Sequence, residues 1–131
     1  MFEERKFGKV RYLIHYPKNY RAGEKYPTIL FLHGAGTRGT DINVLKENSY
    51  FRITGEHENF PFITIAPHCD VDTWFDVWET LIDLVNEIRA SDFCDASRFY
   101  AMGNSMGGYG TWQMGISMPQ CFAAIVPICG G

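Results

Sequence analysis

Between Ser105 and Gly131 the sequence has no histidine, aspartate or glutamate, and Arg98 is its last charged residue. Everything from Phe99 onward is neutral and largely apolar or glycine. Such a segment needs cover on both sides. It reads as the middle of a domain instead of its end. Other absences exclude whole classes of function. With a net charge of -3 and no basic cluster interleaved with aromatics, nucleic acid is excluded as a partner. No apolar run is long enough to span a bilayer, so no membrane partner is expected. The charged start "MFEERKFGKV" lacks an apolar signal core, which points to a cytoplasmic protein. Cys69, Cys94, Cys121 and Cys129 show no C-x-x-C spacing and no pairing with histidine, so reduced thiols are expected and no metal site. There are no repeats, low-complexity tracts or linkers, and 131 residues suit one domain with a modest core.

The segments that are present alternate in type. "KVRYLIHYPKNY" alternates in part, with Val10, Tyr12 and Ile14 on one face, and predicts an early strand at a sheet edge. "TILFLHGAG", "PFITIAP", "RFYAMG" and "FAAIVPI" are short continuous apolar runs, as in buried parallel strands. "DINVLKENSYFRITG" predicts a ragged helix capped by Asp41 or Thr40. "TWFDVWETLIDLVNEIRA" is the clearest helix, with Trp78, Leu81, Ile82, Val85 and Ile88 at helical spacing and Thr73 with Asp76 as a capping box. "SMGGYGTWQMGISM" is a helix rich in small residues. Strands alternating with helices predict an α/β fold, a mostly parallel sheet with helices on both faces. In such sheets functional groups gather at the carboxyl ends of the strands.

Two glycine-rich stretches fall at such ends. "GNSMG", from Gly103 to Gly107, has the pattern G-x-S-x-G between a strand and a helix. A serine hydroxyl must be exposed, aimed and deprotonated by a neighbour before it attacks. A tight strand-to-helix turn does the aiming, and the flanking Gly103 and Gly107 leave room for the turn to pack. The second stretch, "HGAGTRG" from His33 to Gly39, admits two readings. Gly34, Gly36 and Gly39 match G-x-G-x-x-G, a dinucleotide fingerprint, with Glu56 or Glu58 at about the distance of its acidic partner. The same residues match an H-G-x-G oxyanion loop upstream of a nucleophile. The order of the two motifs favours the oxyanion loop. Its donors would be the N–H groups of Met106 and Ala35, with Gly36 as an alternative, while His33 and Gly34 support the loop.

With these residues the chain resembles the α/β-hydrolase superfamily. It is similar to the esterase branch holding feruloyl and acetyl-xylan esterase-like proteins, polyhydroxybutyrate depolymerase-like proteins and a "predicted peptidase" group. The carrying stretches are "PTILFLHGAGTRG", "FITIAPHC", "RFYAMGNSMGGYGTW" and "FAAIVPICGG". Thr37 stands where that group carries an acidic residue. The resemblance implies a truncated α/β-hydrolase fold, residues 1–131 forming a single incomplete domain. It implies a serine carboxylic ester hydrolase acting on a small ester, with Ser105 as nucleophile and no cofactor. It also implies that the acid and histidine of the triad lie beyond Gly131, because that triad runs Ser, then Asp or Glu, then His. Upstream, His68 ends a strand on the functional side of the sheet and is the one candidate for a surrogate base. The other reading of His68 is a polar loop residue, and His15 and His57 read as solvated. Tyr50, Phe51, Trp74 and Phe75 line a pocket or pack the core. A non-catalytic remnant or binding module is the competing function. The apolar strand Phe122 to Ile128 predicts a homo-oligomer joined along its edge.

Overall fold

A computed structural model of the chain describes residues 1–57 and 59–129. It begins with a hairpin. Strand β1 (Phe2–Phe7) pairs antiparallel with β2 (Val10–His15), and the Phe7–Val10 pair leaves Gly8 and Lys9 as a two-residue loop. Gly8 has φ 58, the positive value that tight hairpin loops of this kind require. The alternation in residues 10–15 predicts an edge strand, but β2 is internal: it also pairs antiparallel with β4 (Ile63–Pro67). Leu13 and Ile14 are accordingly both buried, one on each face. The true edge is β1, whose exposed charges disguise it as a loop in the sequence.

Four parallel strands follow the hairpin: β3 (Tyr26–Leu32), β4, β5 (Cys94–Asn104) and β6 (Ala124–Ile128). The sheet order is β1-β2-β4-β3-β5-β6. Helices cover both faces, as the alternating pattern predicts for an α/β fold. Helix α1 (Ser49–Glu56) lies over a smaller core of Leu13, Phe31, Ile42, Leu45, Phe51 and Ala66. Helices α2 (Trp78–Arg89) and α3 (Met106–Ser117) cover the larger core on the other face, around Leu30, Leu32, Ile63, Ile65, Phe99 and Trp74. Full burial of side chains of this size contributes about 1.5–3 kcal/mol each.

Two helical expectations are modified by capping. The single helix expected over residues 41–55 is broken into a 3-10 segment, Ile42–Glu47, and α1. The break is Asn48, in extended conformation, whose Oδ1 accepts the Tyr50 N–H at 3.0 Å. Asp41 does the same for Asn43 at 3.0 Å, and so caps the 3-10 segment. Short polar side chains compete for backbone donors and so restart a helix where they stand. The Thr73–Asp76 capping box is present, but it opens a 3-10 turn, Trp74–Val77, that leads into α2. On α2, Leu81, Leu84, Val85 and Ile88 are buried, while Trp78 and Ile82 pack against the same core half-buried.

The apolar run at β6 reads as a buried strand, yet β6 alternates between exposed and half-buried residues. It is the second edge of the sheet, paired only with β5 among the described residues. His15 also departs from its expectation. Its ring is half-buried, 4.7 Å from Phe2 and 5.8 Å from Phe51. His57 is exposed, as a solvated residue should be.

Candidate active site

Strands β3 and β5 are neighbours, with Leu32 opposite Gly103. The stretches that follow them therefore emerge side by side at one end of the sheet. Ser105 stands between β5 and α3 with φ 54 and ψ -117. A non-glycine residue at such angles is strained, and the surroundings must hold it there. Three contacts do so. The Ser105 N–H donates to the Ile128 carbonyl at 2.8 Å, and the Ser105 carbonyl accepts the Tyr109 N–H at 3.1 Å. The elbow is also wedged against β3: a Cβ on Gly103 would stand 2.7 Å from the Leu32 oxygen, and one on Gly107 would overlap that same carbonyl. Gly110 continues the close approach, where a Cβ would come within 2.9 Å of Leu32 Cδ1. The Ser105 side chain is left exposed and uses no oxygen to cap its helix.

The loop from His33 comes up against this elbow. A Cβ placed on Gly34 would sit 3.6 Å from Ser105 Cβ and 3.3 Å from the Asn104 oxygen. Beyond Gly34 the chain makes one 3-10 turn, Ala35–Thr37, and then extends. The dinucleotide reading of "HGAGTRG" needs an α-helix opening at these glycines, and none opens there. Its candidate acid Glu56 ends α1, and Glu58 lies outside the described residues. The first residues of a helical turn have no intrahelical acceptor for their N–H groups. Ala35 and Gly36 occupy that position in the loop turn, and Met106 occupies it in α3.

His33 is fully buried and its two ring nitrogens are engaged in opposite senses. Nε2 accepts the Cys69 N–H at 2.9 Å, so the ring proton resides on Nδ1, which donates to the Gly34 carbonyl at 2.7 Å. Burial lowers its pKa to about 4, which keeps the ring neutral. Trp74 lies 4.8 Å away and donates its indole N–H to the His33 carbonyl at 3.0 Å. His68, also buried, donates from Nε2 to the Thr37 carbonyl at 3.0 Å. Among the described residues no hydrogen bond joins a histidine to Ser105 Oγ.

Further anchors of the loop have no counterpart in the sequence motif. Arg38 Nε donates to the Ala35 carbonyl at 3.0 Å, and its Nη1 to the Asp72 carbonyl at 2.9 Å. Arg11 donates to the Thr40 carbonyl at 2.6 Å. Of the four aromatics that line a pocket or pack the core, Trp74 and Phe51 are core. Tyr50 stacks on Phe31 and hydrogen-bonds Thr64, and Phe75 is exposed. Cys69, Cys94 and Cys121 are buried, Cys129 is exposed, and all four are free thiols. Among the described residues no three His, Cys, Asp or Glu side chains group to hold a metal ion, and no helix is long and apolar enough to cross a membrane.

This chain has the α/β-hydrolase fold, and its structural neighbours are esterases and serine hydrolases. A thermostable esterase superposes with a TM-score of 0.72 at 30% identity, covering 99% of this chain and 41% of the esterase. An acetyl xylan esterase from Aspergillus awamori gives 0.70 at 19% identity, covering 95% of this chain and 50% of that enzyme. Est1E from Butyrivibrio proteoclasticus gives 0.69 at 20% identity, covering 97% and 49%. The chain thus spans half or less of the length of each of these three solved proteins. No protein-family model and no curated protein sequence matches it.

Proposed function

We propose that residues 1–131 are the nucleophile-bearing part of a serine carboxylic ester hydrolase. The observation that carries this reading is the strained Ser105 at the elbow, packed beside Gly34 of the H-G-x-G loop. In the proposed reaction Ser105 Oγ attacks the carbonyl carbon of a small ester while a histidine takes its proton. The oxyanion that forms accepts hydrogen bonds from the N–H groups of Met106 and Ala35, with Gly36 as the alternative donor. Collapse breaks the bond to the alcohol, which leaves with the proton from the histidine. Water then releases the acid from Ser105 by the same steps. His33 does not act as the base in this scheme, because both its nitrogens are bonded to the backbone. His68 Nε2 is likewise engaged with Thr37. Neither His33 nor His68 is therefore assigned as the base, and the 131-residue chain turns over only where another histidine, of this chain or of a second copy, reaches Ser105.

One observation favours a second reading, a non-catalytic remnant or binding module of the same fold. The described residues give Ser105 Oγ no hydrogen bond to a histidine. Hydrolysis of p-nitrophenyl acetate separates the two. Turnover by the 131-residue chain that falls to background in Ser105→Ala supports the hydrolase. Identical rates for both proteins would leave the scaffold without its chemistry.

A further inference from the structure

We propose that Arg38 is a positioning residue of the Ala35–Thr37 turn: it fixes the Ala35–Gly36 peptide and so sets where the Gly36 N–H points. The proposal deepens the hydrolase reading, in which the N–H groups of Ala35 and Gly36 serve the oxyanion, and rests on it for its kinetic consequence alone.

Each of these N–H groups shares a planar trans peptide with the carbonyl before it, so holding the carbonyl aims the N–H the opposite way. The Gly34 carbonyl accepts the Thr37 N–H at 3.2 Å and His33 Nδ1–H at 2.7 Å, which aims the Ala35 N–H. The Ala35 carbonyl accepts the Arg38 N–H at 3.1 Å and Arg38 Nε–H at 3.0 Å, which aims the Gly36 N–H. Both of the latter bonds come from one residue. Its guanidinium is held from outside the turn, because Nη1 donates to the Asp72 carbonyl at 2.9 Å. The Asp72 carboxylate adds little: it is exposed and 4.0 Å from Nη1.

The second peptide needs such a hold because the turn has two states. Residues 34–37 are closed by the bond from the Thr37 N–H to the Gly34 carbonyl. Rotating the middle peptide would convert a type I turn into type II, keep that closing bond, and reverse the Ala35 carbonyl and the Gly36 N–H. Type II demands a positive φ at the third residue, which is Gly36, and glycine adopts it freely. A Cβ there would meet nothing within 4 Å, so no neighbour opposes the rotation. Gly36 nonetheless has no positive φ, so the chain occupies the first state. The Gly34–Ala35 peptide lacks this freedom, since its rotation would carry Ala35 to a positive φ. Rotation of the Ala35–Gly36 peptide would point a carbonyl oxygen where the Gly36 N–H now points, and so repel an oxyanion. The bonds from Arg38 to the Ala35 carbonyl exist only in the observed state.

The test is NMR relaxation dispersion at the backbone amides of the turn, which reads exchange on the μs–ms scale. In wild type the Ala35 and Gly36 amides should both be quiet. Arg38→Ala should bring exchange at Gly36 and leave Ala35 quiet. Arg38→Lys should do the same, because an ammonium keeps the charge but not the fork that spans two carbonyls. Adding Gly36→Ala to Arg38→Ala should silence the exchange, since alanine resists the positive φ of the rotated state. A quiet Gly36 in Arg38→Ala, equal exchange at Ala35 and Gly36, a quiet Arg38→Lys, or exchange that survives the double substitution would each overturn the proposal. In p-nitrophenyl acetate hydrolysis that depends on Ser105, Arg38→Ala should lower kcat by about 100-fold at unchanged KM. An unchanged kcat would overturn the kinetic consequence. A wild type without Ser105-dependent turnover would count against the hydrolase reading alone, and the Gly36 amide would still decide the role of Arg38.

Discussion

The carbonyl oxygen of Leu32 stands where a β-carbon on Gly107 would have to go. The obstructing atom is backbone on a central strand and cannot rotate aside. Gly107→Ala should therefore cost about 3 kcal/mol, read from urea denaturation. Gly36 is the internal comparison, because a Cβ there meets nothing within 4 Å. Gly36→Ala should stay within about 0.5 kcal/mol of wild type. Equal costs at the two positions would show that the elbow is not wedged against β3.

Ser105 holds φ 54 and ψ -117, angles that glycine adopts without a steric penalty. Replacing it by glycine should raise stability by about 1 kcal/mol, because the strain of the β-carbon disappears. Ser105→Ala keeps that carbon and should leave stability near the wild-type value. Paired thermal melts of the two variants would reveal the strain, and a Ser105→Gly variant no more stable than Ser105→Ala would show there is none.

Acid should loosen the fold before the carboxylates titrate. Burial holds His33 at about 4, and burial with the terminal amine does the same to His15. In the unfolded chain both return to about 6.5. Between those values the unfolded state binds more protons, so stability present above pH 6.5 is lost as the pH falls toward 4. The urea midpoint should drop across this window, and His15→Phe should make the drop shallower. A midpoint constant from pH 7 to pH 4.5 would contradict the buried neutral rings.

Trp74→Phe keeps an aromatic ring in the core but removes the donor that reaches the His33 carbonyl. Leaving that buried acceptor unpaired should cost about 1–3 kcal/mol. Amide exchange in the 34–38 loop should quicken as well, since the turn loses one of its ties. Unchanged exchange there would mean that Arg38 and His68 hold the loop without the indole.

The two glycine stretches were legible because their chemistry is local: a strand, a turn and the required residue types lie within a dozen positions. The supports of the loop were not, because they join side chains to backbone atoms far away. Trp74 lies 41 residues from His33, and Arg11 lies 29 from Thr40. No short pattern records such a bond. Strand order was hidden for a related reason. Composition shows that "FAAIVPI" is apolar, but not whether a neighbour covers it, and it shows that "FEERKF" is charged, but not that a hairpin turns it into an edge. His15 looks solvated in an alternating strand until β1 and α1 place Phe2 and Phe51 against its ring.

The pairing of Leu32 with Gly103 also acts as a ruler. The distance from the H-G-x-G turn to the serine elbow is measured out by backbone ladder bonds between β3 and β5, not by side chains at the site. Sliding one strand past the other by a single residue would move the two loops apart by about 3.3 Å and turn every core side chain to the wrong face. Surface substitutions around the mouth can therefore change what the site meets while leaving its internal spacing untouched.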